Sequence, residues 1–281
     1  MGGLSKKSAF VSTLSSKNAT PTLLLDAGNL LFKQKTLPAN TKEAEGARIK
    51  ARGIVAINRQ MGLNFAGIGQ NDLAAGPDFL HALADSIGGK FTWLSLNLID
   101  QKSGQRLFRG STLTQAGELA VAVIALTNHD TAPAAGAASY SILPWRQVLP
   151  AAVAKLRTQA DMLILLSNYP LTENREIARA CPELDLIVQS GHAMGNLPPV
   201  VAGNTLITQT EIRGRYLGLL EIDWQRHGVW QQRSRGAVLD KASSASTYTQ
   251  RFVPLDAAMP DDPVIDALVR RVEQQAQKAA R

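Results

Sequence analysis

One local design occurs four times in this chain and constrains its fold more than any other feature: an apolar run that ends in a short loop of small polar residues. The four loops are Asp26-Ala27-Gly28-Asn29, Gly69-Gln70-Asn71-Asp72, Ser167-Asn168 and Ser190-Gly191-His192-Ala193-Met194. The apolar runs have the length and composition of buried strands. Loops at strand ends carry function on a rigid scaffold in α/β proteins, so these four loops form a candidate site if they meet.

Helical patterns alternate with apolar strands as far as about residue 190, which indicates an α/β fold with a largely parallel sheet. Short successive strands follow from Pro198 and predict a second, antiparallel portion. The predicted helices are Leu4–Lys17, Lys42–Met61, Asp78–Ile87, Pro144–Gln159, Leu171–Ala180 and Pro263–Arg281. The predicted strands include Thr22–Leu25, Leu63–Ala66, Phe91–Leu98, Glu118–Leu126, Asp161–Leu166, Leu184–Val188, Thr205–Thr208 and Tyr216–Trp224, and a polar stretch covers Ser234–Thr249.

Composition excludes several classes of protein. Of the 281 residues, 45% are hydrophobic and 19% are charged, which is ordinary for a globular protein with a real core. The apolar runs are too short and too interrupted to span a bilayer, so no transmembrane segment is expected. A single cysteine, Cys181, excludes an internal disulfide and a cysteine-based zinc site. The net charge of +7 favours anions, but the basic residues are scattered and not interleaved with aromatics, so no specific nucleic-acid interface is expected.

The residues that could carry chemistry are few. The chain has four histidines and contains neither Gly-x-Ser-x-Gly nor a P-loop motif. His192 is the best placed of the four, because it follows an apolar run and a glycine. Spacing alone leaves two interpretations open, a metal ligand and a hydrogen-bonded structural residue.

The order, spacing and flanking strands of the four loops resemble the calcineurin-like metallophosphoesterases of the 5′-nucleotidase type. In that family the corresponding motifs are Asp-Ala-Gly-Asp, Gly-Asn-His-Glu or Gly-Asn-His-Asp, Leu-Leu-Ser-His, and Gly-His-Ser-His or Gly-His-Thr-His. The resemblance runs from residue 2 to about residue 270, and Gly2-Gly3-Leu4 also fits it. It implies a four-layer α-β-β-α sandwich with mixed sheets. It further implies a hydrolase that uses two divalent metal ions.

The departures from the family pattern fall on the residues that would bind those ions. The resemblance places a bridging Asp at Asn29, a ligand Asn at Gln70, the catalytic His at Asn71 and a ligand His at Asn168, while Met194 occupies the final position. These side chains supply no anionic ligand to offset the repulsion between two cations.

Two positions of the pattern are retained, and one segment is not found. His192 is the one residue that matches a ligand position outright, and Asp72 matches a position that supports the histidine loop. The family's first strand, which carries Asp-x-His, has no counterpart before Gly2. We therefore expect no retained di-metal centre and no cofactor.

These observations predict a metallophosphatase-like domain over residues 1–258 and a C-terminal helix, 259–281, that resembles the start of an inter-domain linker. The favoured function is a catalytically degenerate 5′-nucleotidase-like module that binds or scaffolds an unknown protein or small-molecule partner. The alternative is an active phosphoester hydrolase with atypical ligands or with ligands from a missing segment. The resemblance suggests a periplasmic or extracellular location. The chain itself shows no signal peptide, so this expectation rests on the resemblance alone.

Overall fold

The structure is a computed structural model that describes residues 3–17, 20–38, 40–128, 139–190, 195–211, 214–226, 228–233 and 245–281. Its helices are α1 (Leu4–Lys17), α2 (Lys42–Gln60), α3 (Pro77–Ser86), α4 (Trp145–Arg157), α5 (Leu171–Ala180) and α6 (Pro263–Ala279), with a 3₁₀ helix at Gln70–Ala75. Its strands are β1 (Phe65–Gly67), β2 (Thr92–Leu94), β3 (Leu98–Asp100), β4 (Ser111–Ala116), β5 (Leu119–Leu126), β6 (Tyr140–Ile142), β7 (Met162–Ser167), β8 (Leu186–Gln189), β9 (Leu197–Ala202), β10 (Thr205–Gln209), β11 (Tyr216–Asp223), β12 (Trp230–Gln232) and β13 (Ser246–Pro254).

A mixed six-stranded sheet, in the order β4-β5-β7-β8-β10-β9, is the largest sheet. Strands β5, β7, β8 and β10 run parallel, and β4 and β9 pair antiparallel at its two edges. The parallel strands are almost continuously apolar because both faces of the sheet are covered. A three-stranded sheet, β11-β13-β12, and a two-stranded parallel sheet, β1-β2, make up a second β layer.

Three apolar clusters hold the layers together. The first packs α4 and α5 on one face of the six-stranded sheet, around the buried side chains of Trp145 and Leu149. The second joins β1 and β2 to α2 and α3. The third lies between the two β layers, where Val123 and Ile164 face Leu220. This order of layers is the expected α-β-β-α arrangement with mixed sheets.

Helix α6 closes the outer helical layer by packing along α2. A Cβ added at Gly46 would lie 2.9 Å from the carbonyl oxygen of Ala276, so the two helices approach closely. The Asp262 carboxylate caps α6 and also accepts a hydrogen bond from the Ser8 hydroxyl of α1 (2.7 Å). In the described part of the chain, no helix is long and apolar enough to cross a membrane.

The six predicted helices are confirmed within a few residues at each end, but two strand predictions and part of the polar-stretch prediction are wrong. Thr22–Leu25 forms no strand ladder, and Phe91–Leu98 is divided between β2 and β3. The division occurs where Ser95 and Asn97 turn their side chains into a buried polar network. Ser246–Thr249, placed within the polar stretch, belongs to β13, whose ladder with β11 outweighs its polar composition.

Candidate functional site

Three of the four loops singled out in the sequence, together with Ser190 at the start of the fourth, meet at the carboxyl ends of the central strands. Asn168 directly follows β7 and Ser190 directly follows β8, and these strands are parallel neighbours. The run before Asn29 lies beside β1, where the Gly67 amide donates to the carbonyl of Asp26 (2.9 Å). Parallel strands end at one edge of a sheet, so the loops that follow them come together there.

The loops at 26–29 and 69–72 are joined by direct hydrogen bonds. Asn29 has a left-handed backbone (φ 63°), a conformation that asparagine tolerates better than most residues. Its Oδ1 accepts a hydrogen bond from the backbone N–H of Asn71 at 2.9 Å. In the opposite direction, the backbone N–H of Asn29 donates to the Asp72 carboxylate at 2.7 Å. Each loop therefore satisfies a backbone donor of the other.

Asn168 and Ser190 complete a circuit through all four loops. The Oδ1 of Asn168 accepts a hydrogen bond from the backbone N–H of Gln70 (3.3 Å), and its Nδ2 donates one to the Ser190 hydroxyl (3.0 Å). That hydroxyl donates in turn to the carbonyl of Ala27 (2.9 Å), in the loop that holds Asn29. The circuit cross-links the loops with neutral amide and hydroxyl groups.

Asp72 lies under this circuit and is fully buried. Its carboxylate accepts backbone hydrogen bonds from Gly69 (2.9 Å), Asn29 (2.7 Å) and Leu31 (2.9 Å). Burial raises the pKa of Asp72 to about 7, because desolvation outweighs the three donors, which act to lower it. These contacts attach the carboxylate to the backbone of the loops at 26–29 and 69–72, and the role of Asp72 in supporting its loop stays a prediction.

The raised pKa of Asp72 predicts a pH-dependent stability. A folded-state pKa near 7 exceeds the ordinary value of about 3.9, so the folded chain holds this proton more tightly than the unfolded chain does. The stabilisation is complete below about pH 4 and is lost as the pH rises through about 7, with an upper limit of about 4 kcal/mol.

Urea unfolding between about pH 5 and about pH 8.5 measures this loss. The Asp72→Asn variant lacks the titrating group, and its free energy of unfolding should show a correspondingly smaller decline. Because the variant keeps every other titrating group, the difference between the two curves isolates Asp72. Parallel curves for the two proteins would contradict the prediction.

The described residues of the site do not fit a pair of divalent cations. Both oxygens of Asp72 are occupied by backbone amides, and the oxygens of Asn29 and Asn168 accept backbone hydrogen bonds. In the parts of the chain that the structure describes, no three His, Cys, Asp or Glu side chains are grouped so that they could hold a metal ion. Hard divalent cations need several oxygen or nitrogen donors with compensating charge.

The seven candidate residues divide into two groups. Five of them, Asn29, Gln70, Asn71, Asp72 and Asn168, lie together in the circuit described above. His192 and Met194 lie outside the described residues, and their predicted roles stay predictions.

Sequence reasoning missed a partly buried pair of ionisable groups, Lys7 and Asp26, beside the site. Burial raises the pKa of Asp26 and lowers the pKa of Lys7, and the attraction between the two groups opposes both shifts. The Lys7 ammonium donates to Oδ1 of Asn58 (2.9 Å), and Asp26 accepts from the Gly28 amide (2.9 Å). Asp26 was already named as the first residue of its loop, and that position was the available signal for it. A lysine within the amphipathic pattern of α1 gave none.

A second polar network, also missed, lies under the 69–72 loop. The Thr127 hydroxyl donates to the carbonyl of Ile68 (2.8 Å) and lies 2.9 Å from the Ser95 hydroxyl. Asn97 donates to the carbonyls of Thr127 and Leu143 (2.7 and 2.8 Å). These contacts join the segments that follow β2 and β5, and they attach both to the backbone just before the 69–72 loop.

Comparison with known proteins gives a consistent result for the fold. No protein-family model matches the chain. An uncharacterized metallophosphoesterase, YunD of Bacillus subtilis, is 34% identical over 71 residues, which is 25% of this chain and 15% of that protein.

Two solved structures cover almost the whole chain. The Thermus thermophilus sulfate thiohydrolase SoxB matches 99% of this chain and 48% of its own, with a TM-score of 0.77 and 19% identity. A 5′-nucleotidase precursor, also of Thermus thermophilus, matches 99% of this chain and 54% of its own, with a TM-score of 0.75 and 20% identity. The chain thus spans about half the length of these two proteins.

Proposed function

The fold is that of the calcineurin-like metallophosphoesterases of the 5′-nucleotidase type, and from it we propose that this chain is a catalytically degenerate member of that group that serves as a binding or scaffolding module. One observation carries the proposal. The side-chain oxygens of Asn29 and Asn168, two positions at which the resemblance places metal ligands, accept hydrogen bonds from the backbone of a neighbouring loop. A site of this kind keeps its shape without activating a water molecule.

The substitutions also explain how that shape survives. An isolated buried carboxylate is costly, whereas an amide of the same size can donate and accept within the protein. Asn168 uses both ends of its amide in this way, toward the Gln70 amide and the Ser190 hydroxyl. The hydrogen bonds of the circuit hold the loops together, as a shared metal ion would do in an active member of the group.

The alternative is an active phosphoester hydrolase. It is favoured by the retained Gly191-His192 sequence and by the names of the two structural relatives, a sulfate thiohydrolase and a 5′-nucleotidase precursor. It would need metal ligands from outside the circuit described here. The same relatives support a periplasmic or extracellular location as part of the proposal, and fractionation of the native host would test it.

A metal-binding and activity measurement separates the two functions. We expect the protein, purified in manganese, cobalt or zinc, to retain far less than one equivalent of metal. We also expect no turnover above background of an aryl phosphate, AMP or a cyclic nucleotide. Elemental analysis and phosphate release are the readouts.

The control for that measurement is a pair of histidine variants. Near-stoichiometric metal, with turnover abolished by His192→Ala and kept by His81→Ala, would overturn the degenerate function. His81 is a suitable control because it lies on α3, where its exposed ring stacks on Phe108.

A further inference from the structure

The polar groups of its first two turns fasten helix α1 to the start of α6. The Ser5 hydroxyl donates to the Asp261 carboxylate, and the Ser8 hydroxyl donates to the Asp262 carboxylate at 2.7 Å. Between them, the Lys6 ammonium donates to Asp261 at 2.9 Å. The backbone N–H of Asp262 donates in return to the carbonyl of Ser5 at 3.1 Å. Ser5 and Ser8 are buried, which strengthens these hydrogen bonds, and we call this group of contacts the latch.

Lys7 lies between the residues of the latch in sequence, but its side chain reaches toward α2. Its ammonium donates to Oδ1 of Asn58 at 2.9 Å, and Asn58 is fully buried. The carboxylate of Asp26 attracts the same ammonium. One short stretch of α1 thus holds the start of α6 with three side chains and holds the neighbourhood of the loop circuit with a fourth.

The first route from Lys7 to the loop circuit passes through Asn58, in the last turn of α2. The carbonyl of Asn58 accepts a hydrogen bond from the backbone N–H of Leu63 at 3.0 Å, in the turn between α2 and β1. Strand β1 then leads directly to the loop at 69–72. Because only this short hydrogen-bonded turn separates Asn58 from β1, a displacement of Asn58 is passed to the strand that precedes the loop.

The second route passes through Asp26. Its carboxylate attracts Lys7 and accepts a hydrogen bond from the backbone N–H of Gly28 at 2.9 Å, inside the loop at 26–29. Its carbonyl accepts another from the backbone N–H of Gly67 at 2.9 Å, at the end of β1. If α1 moved away, this partly buried carboxylate would lose its counter-charge. Water drawn to the carboxylate would then compete for the hydrogen bond from Gly28.

We propose that the latch is a conformational device that couples the start of α6 to the loop circuit, with Lys7 as the residue that joins them. While the latch is closed, Lys7 keeps Asn58 and Asp26 in place and the circuit is ordered. A movement of α6 that withdraws Asp261 and Asp262 from α1 releases Lys7 and loosens the loops. The coupling is reciprocal, so a ligand that orders the circuit also tightens the latch. The proposal goes beyond the proposed function and does not depend on it, because these contacts are the same in a binding module and in an enzyme.

Ser8→Ala opens the latch at a buried hydrogen bond, and Ser12→Ala is the matched control. Ser12 lies one turn further along α1, and its hydroxyl donates to the carbonyl of Ala9 within the same helix (2.8 Å). Amide hydrogen exchange, resolved by NMR, is measured at Gly28 and Asn71, whose backbone N–H groups are held by side chains of the 26–29 loop. We expect Ser8→Ala to accelerate exchange at both by about fivefold, the factor that corresponds to one typical hydrogen bond, and Ser12→Ala to leave it unchanged.

A second substitution tests the joining residue. Lys7→Met keeps most of the apolar side chain and removes the ammonium, so both routes are already broken in this variant. Adding Ser8→Ala to it should produce no further acceleration at Gly28 or Asn71. If Lys7→Met does not fold, Asp26→Asn replaces it, because the amide oxygen can still accept from Gly28 but no longer attracts the ammonium. The effect of Ser8→Ala at Gly28 should then be smaller than in the unaltered protein.

Three results would overturn the proposal. The first is unchanged exchange at Gly28 and Asn71 in Ser8→Ala, whatever happens within α1. The second is an equal acceleration in β7, which would show a general loss of stability instead of a coupling to the circuit. The third is an effect of Ser8→Ala that has the same size with and without the Lys7 ammonium. None of these readouts involves metal or turnover, so each outcome leaves the proposed function to its own test.

Discussion

Replacing Asp72 by alanine is expected to lower the free energy of unfolding by about 3–5 kcal/mol, one of the two largest effects anticipated for a single substitution in this chain. The carboxylate is fully buried and accepts hydrogen bonds from the amides of Gly69, Asn29 and Leu31. Alanine leaves all three donors buried without an acceptor. Each orphaned donor costs about 1–3 kcal/mol, reduced where water enters the space.

The loss should be local as well as large. The amides of Gly69 and Leu31 are held by this one side chain from two different segments, so its removal frees both. Hydrogen exchange at these two amides should accelerate more than exchange in β7, where the ladder with β5 and β8 is unchanged. Urea unfolding gives the total, and exchange assigns it to the site.

Asp85→Ala is the matched control for Asp72→Ala. Asp85 lies near the end of α3 with an exposed side chain, so its replacement should change the free energy of unfolding by less than about 0.5 kcal/mol. If Asp72→Ala cost no more than this control, the carboxylate would not be holding the loops. The proposal that the loop circuit keeps its shape without metal ions would then lose its main support.

The parts of the fold that the sequence predicted are those with a strong periodic pattern. Helix α2 follows Thr41, which caps it, and ends before Gly62, and both features are visible in the sequence. The buried parallel strands β5 and β7 are almost continuous apolar runs. Their positions follow from local composition and needed no tertiary information.

The strand predictions that failed depend on distant partners. Thr22–Leu25 has the composition of a buried strand, but no described strand forms a ladder with it. Strand β13 is polar in sequence and becomes a strand because β11 pairs with it from Thr247 to Pro254. Neither outcome can be read from the residues themselves, since pairing is a property of two segments.

The candidate site shows a similar division. The resemblance identified Asn29, Asn71, Asp72 and Asn168 by their positions, and the structure brings all of them together. The resemblance did not show that the amides would accept hydrogen bonds from the backbone of each other's loops. Ser190 was named as the start of its loop, but its part in closing the circuit depends on a hydrogen bond to Ala27, which is 163 residues away in sequence.

The second large prediction concerns Gly28, where the loops at 26–29 and 69–72 approach each other closely. Replacing Gly28 by alanine should cost at least about 4 kcal/mol, for two separate reasons. Its φ of 109° is unfavourable for any residue with a Cβ, and a Cβ there would lie 2.5 Å from the Gly69 amide nitrogen. Since the contacted atom is backbone, no side-chain rotation can relieve the overlap.

Gly62→Ala separates the two causes because it carries only the first. Gly62 has a φ of 96°, but a Cβ added there meets nothing within 4 Å. Its replacement should cost about 1–2 kcal/mol, which measures the backbone strain alone. The excess cost at Gly28, read from urea unfolding of both variants, is then the energy of forcing the 26–29 and 69–72 loops apart. Equal costs for the two variants would show that the loops can separate freely, and that their close packing does not maintain the shape of the site.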